Sequence, residues 1–261
     1  MSNDDKARSI IQAGSEIAGA AVGGALGFIS GGPVAAAGAG VVGVAVTRVL
    51  GDVASRYLSK RETIRVGGTA AIAANIISEC LNQGQRLRSD GFFESSNTNE
   101  RSPADEIFEG TLLVAKNSYE EKKVLHLGTL FANIAFDQHC SPEEANFQIK
   151  VAESLTYAQF ILLRLFALED NPFNLRQQDY KPSSQTTYAT VNLLHEIHEL
   201  CSLNLAIMQK PNEPNHTIVM GINIICPSQM QLAVGGKRLH DLLGLLVIQN
   251  EDLESVAKCL R

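Results

Sequence analysis

The chain has 261 residues, a formal charge of −6 and a pI of about 5.5. Its length holds one large or two small domains with real cores, and its acidic balance argues against a general nucleic-acid binder, which needs a basic surface to displace counterions from phosphates. Cys80, Cys140, Cys201, Cys226 and Cys259 stand singly without a Cys-x-x-Cys pair, so neither a disulfide framework nor a zinc ribbon is expected, and a reducing cytoplasm fits.

The opening residues mix Asp4, Asp5 and Glu16 with Lys6 and Arg8, unlike the basic start of an export signal, so no export is expected. From Ile17 to Thr47 there is no charge, and small residues recur every fourth position: Gly19, Gly23, Gly27, Gly31, Ala35, Ala39 and Gly43. On an α-helix such positions share one stripe, and a stripe without side chains admits a second helix at close range. Pro33 interrupts the ladder, because proline disfavours helix at the preceding residue. The spacing predicts two helical arms over 15–29 and 34–58, folded at Ser30–Pro33. Each arm contributes about 13 uncharged residues, about 20 Å of helix against about 30 Å of hydrocarbon.

Neither arm spans a bilayer comfortably, so two readings stay open: a packed soluble hairpin, or one that inserts conditionally. The basic cluster that follows, Arg48, Arg56, Lys60, Arg61 and Arg65, would favour anionic lipid headgroups. Gly38, Gly40 and Gly43 also match the dinucleotide fingerprint Gly-x-Gly-x-x-Gly, with Glu62 near the distance of a ribose ligand. Pro33–Ala37 makes a poor strand before it, and no strand–helix alternation follows, so the match reads as chance in a glycine-rich segment.

Next, Val66–Arg88 reads as a helix with Ala70, Ala73, Ile77, Cys80 and Leu81 on its apolar side. Gly91-Phe92-Phe93 reads as an anchored turn before a solvated loop. Ser102-Pro103-Ala104-Asp105 is a helix start, with Ser at the N-cap, Pro at N1 and a carboxylate at N3. That helix is expected to reach Phe136, kinked near 117–120, where Ser118 and Glu121 could form a second capping box. Asn133 reads as a satisfied polar residue in its apolar run. Ser141-Pro142 opens another helix, and Thr156 with Gln159 suggests a further box.

The C-terminal third combines helix at about 188–201, β-like runs "HTIVMGINII" and "QMQLAV" separated by Cys226-Pro227-Ser228, and helix again in "GGKRLHDLLGLLVIQ". Helix, short turn, helix, β-hairpin, helix is the order of a winged-helix module, with limits near 154–250. The helix before the wing carries Glu196 and Glu199 and no basic residue, so DNA binding is not expected. His195 and His198 are three apart, not four as in His-Glu-x-x-His, and only His216, His240 or Cys226 could complete a metal set, so none is expected. No nucleophile elbow occurs, Gly235-Gly236-Lys237-Arg238 lacks the phosphate-loop spacing, and no cofactor is implied.

"LGTLFANIAFDQ" followed by "PEEANFQIKVAESLTYAQFILLRLF" resembles the helical core of the bacterial abortive-infection alpha proteins over residues 105–168. The resemblance implies a role in phage defence by halting or killing the infected cell. It carries over no functional residue.

The expected architecture is mainly α: residues 1–65 a glycine-zipper hairpin with a basic flank, 66–153 a helical domain, 154–261 a winged-helix-like module with a small β-hairpin. The leading expectation is a non-enzymatic defence or toxicity effector, cytoplasmic and associated with the inner membrane, inserting its hairpin into anionic lipid. The alternative is a soluble adaptor or sensor whose winged-helix-like module binds a protein partner. Self-association is left open.

Overall fold

The computed structural model describes Val49, Val53 and residues 58–95, 101–180, 186–209 and 221–261. The expected hairpin, with Gly19, Gly23, Gly27, Gly31, Gly43, Arg48 and Arg56, lies outside these residues except at Val49 and Val53, which are helical and buried. The described residues are mainly helical, with eight α-helices and one small antiparallel sheet near the C-terminus. The chain divides into two units, Met1–Ser154 and Leu155–Arg261.

In the first unit, α1 (Lys60–Asn82) starts earlier than the apolar pattern predicts. Ser59 accepts a hydrogen bond from the Glu62 amide, and the Glu62 carboxylate accepts one from the Ser59 amide at 2.6 Å. This closed box nucleates the helix within the basic cluster and holds the Glu62 carboxyl below its ordinary pKa. Glu62 is therefore a capping residue here. Eight consecutive residues, Val66–Ala73, are buried, so this stretch is enclosed on every side. The helix packs chiefly on α3 (Lys123–Phe136) and α2 (Pro103–Asn117).

Close approach occurs at Gly128 of α3, where a β-carbon would sit 2.8 Å from the Thr69 carbonyl oxygen and 2.7 Å from Ile72 Cγ2. Beyond α1, Arg88 is buried: its guanidinium bonds Asp90, lies 4.2 Å over the Phe92 ring and reaches the Ile134 carbonyl. Gly91-Phe92-Phe93 is anchored through this contact and through the Ala104 amide, which donates to the Phe92 carbonyl. Ser102 and Asp105 close the expected capping box of α2.

The expected kink near 117–120 is a full break. Residue Ser118 caps the end of α2, its hydroxyl donates to the Glu120 carbonyl, and α3 starts only at Lys123 without a side-chain cap. The Ser118–Glu121 box therefore does not form. Asn133 is half-buried rather than enclosed. Helix α4 (Pro142–Ser154) begins at the Ser141 hydroxyl, which accepts from the Glu144 amide, and packs on α2 and α3.

In the second unit, α5 (Tyr157–Phe166) is central and mostly buried, packing against α8 (Asn250–Ala257), α6 (Tyr188–Ser202), α7 (Val234–Leu242) and β2 (Met230–Leu232). Thr156 and Gln159 form the expected box. The α5–α6 connection is not a short turn but the long segment 167–187. The expected hairpin partners are also exchanged: β2 pairs antiparallel with β1 (Ala206–Met208), Ile207 opposite Gln231, whereas Ile222–Ile224 is a 3-10 turn. Residues 216–220 of the other β-like run lie outside the described residues. Gly235 and Gly236 belong to the first turn of α7 rather than to a wing, and the helix stops at Leu242 because the chain turns through Gly244 at φ 60°.

Candidate functional site

A cavity in the second unit has a volume of about 770 Å³, within the range of small-molecule sites. Three stretches of the sequence wall it: residues 165–175 at the end of α5 and just after it, residues 227–232 entering and forming β2, and Lys237, His240 and Asp241 on α7. The physical cause is the loop after α5. Asp170, Asn171 and Asn174 all take left-handed backbone conformations, with φ of 60°, 47° and 54°. Asparagine and aspartate tolerate that region better than other side chains with a β-carbon.

The Asn171 side chain locks the loop by accepting from the Leu175 amide at 2.7 Å and donating to the Leu175 carbonyl at 3.0 Å. Beyond it, the Arg176 amide donates to the Leu260 carbonyl, and the Arg176 carbonyl accepts from the Ser228 amide. The loop is thus tied to the chain end and to the segment preceding β2.

On the other wall, α7 lies at Gly236 against Leu205, the residue before β1, where a β-carbon would sit 1.9 Å from the Leu205 carbonyl oxygen. The floor is apolar and buried, with Leu165, Phe166, Leu175, Met230 and Leu232. The rim carries the exposed side chains of Glu169, Asp170, Gln231, Lys237 and Asp241. His240 lines the cavity yet is only 5% exposed. Its Nδ1 lies 2.9 Å from the Asp241 carboxylate, and its Nε2 is buried without a hydrogen-bond partner.

A second, more open groove of about 610 Å³ shares Leu168, Pro172 and Phe173 with this cavity and continues to Arg164, Glu251 and Glu254. The Glu254 carboxylate is engaged by Arg261 at 2.7 Å, which leaves a less polar surface there.

The sequence-predicted residues lie elsewhere. Lys60 and Arg61 are exposed at the start of α1. Arg65 is half-buried, its guanidinium donating to the Lys116 carbonyl at 2.7 Å, where it serves the end of α2. His195 is exposed and His198 half-buried on α6. Between them, the Glu196 carboxylate accepts from the Thr156 hydroxyl at 3.1 Å, and Glu199 accepts from the Gln159 amide group at 2.9 Å. These two acids fasten α6 to the start of α5. Cys226 is buried beside the Arg176 carbonyl. Among the described residues, no three His, Cys, Asp or Glu side chains converge as a metal set. Burial pushes the Cys201 thiol up to about 11, so this cysteine is a packing residue at neutral pH.

Sequence reasoning missed the cavity. The signal available was "LEDNPFNL": an Asp-Asn-Pro run directly after an apolar helix marks a loop of unusual backbone. One helix among the described residues, α1, is long and apolar enough to cross a membrane by length and composition, and half of that window is packed inside its own unit. Comparison with known proteins found no matching family model, no similar curated protein and no similar solved structure.

Proposed function

We propose that the protein is a cytoplasmic adaptor or sensor whose C-terminal unit is a recognition module. The observation that carries this reading is the cavity: an apolar floor beneath a charged rim, walled by a loop that the Asn171 side chain braces. A concave pocket of this size is the usual form of a small-molecule site. In the same reading, the winged-helix-like module that the sequence suggests would serve a protein partner rather than DNA. Val234, 87% exposed at the start of α7, and Leu203, 41% exposed at the end of α6, supply apolar surface for such a partner.

The test is native mass spectrometry of the full-length protein after incubation with the small-molecule fraction of a bacterial cytosol. The expected result is an adduct of defined mass on the wild type that is lost in Ser228→Trp, a variant that fills the cavity while keeping the wild-type Tm. No adduct, or one indifferent to the substitution, would overturn the reading.

A second reading rests on Lys60 and Arg61, which are exposed directly after the glycine-rich segment. In it, the protein is a phage-defence or toxicity effector whose segment 15–58 inserts conditionally into the inner membrane. Each basic residue near an anionic surface would contribute about 1 kcal/mol. Sedimentation with anionic liposomes separates the two readings. Binding that is lost in Lys60→Glu/Arg61→Glu supports the effector, and no binding in mild acid or at neutral pH removes it.

A further inference from the structure

We draw no further inference here: the strongest candidate, the open groove beside the end of α5 and α8 that Arg164 lines, carries nothing, because the unpartnered Arg164 Nε is enclosed and nothing in the structure shows what would fill a groove that Glu251 and Glu254 also line.

Discussion

At the residue scale, a few side chains are held in places their chemistry does not favour, and each has an identifiable support. Lys123 is 4% exposed, and its ammonium donates to the Glu153 carbonyl at 3.2 Å. Burial pushes its pKa below the ordinary value of 10.5, and the nearby Glu120 and Glu153 charges offset part of that shift. Below the lowered pKa the native state holds a buried charge. As pH rises through that value towards 10.5, the native state sheds the proton before the unfolded chain does, and stability increases. The Tm of the wild type minus that of Lys123→Met should therefore grow more positive on the alkaline side, approaching the ordinary lysine pKa. A difference that stays flat with pH would contradict this account of Lys123.

Glycine makes the opposite kind of demand, for absence of a side chain. Gly128→Ala would press a β-carbon against the Thr69 carbonyl and Ile72, and Gly236→Ala would drive one into the Leu205 carbonyl. Overpacking of this kind costs about 2 kcal/mol at Gly128 and about 3 kcal/mol or more at Gly236, where the obstacle is backbone. Urea denaturation should rank the two variants in that order. Neither glycine was legible in the sequence, because both lie outside the four-residue ladder from Gly19 to Gly43 that draws the eye. Close approach is decided by the partner helix or strand, and the partner is not written beside the glycine.

At the scale of elements, helix starts were the most legible feature. Ser102 with Asp105 and Thr156 with Gln159 close the boxes their spacing announces, since the bonds form within four residues. Ser59 with Glu62 has the same spacing but falls within the basic cluster, where the charges suggest a lipid contact instead. Ser118 with Glu121 shows the limit of the pattern: that serine ends one helix, so it cannot begin the next. The strand pairing was not legible, because β1 finds β2 across an intervening segment rather than across an adjacent turn.

Thr156 has two tasks, accepting from the Gln159 amide at 3.1 Å and donating to Glu196 at 3.1 Å. Thr156→Ala loses both and should destabilise the second unit by about 2 kcal/mol, whereas Thr156→Ser should recover most of it. Equal loss in both variants, measured by thermal unfolding, would mean that the methyl group rather than the hydroxyl matters.

At the scale of the molecule, apolar spacing and capping residues announced a mainly helical protein with a small β element near its end, and the described residues show it. The cavity was not legible at this scale. The cavity is assembled from segments 165–175, 227–232 and 237–241, and only the tertiary fold brings them together. No local periodicity encodes an empty space. The glycine-rich segment and the basic cluster, so prominent in the sequence, bear on a membrane role that the liposome measurement addresses separately.

The central claim is that this cavity is where the protein recognises a small molecule. Hydrogen exchange of the full-length protein, with and without the cytosolic small-molecule fraction, tests it most directly. The account predicts slowed exchange confined to residues 165–175, 227–232 and 237–241, and no such slowing in Ser228→Trp. Protection that falls on other segments, or none at all, would contradict it.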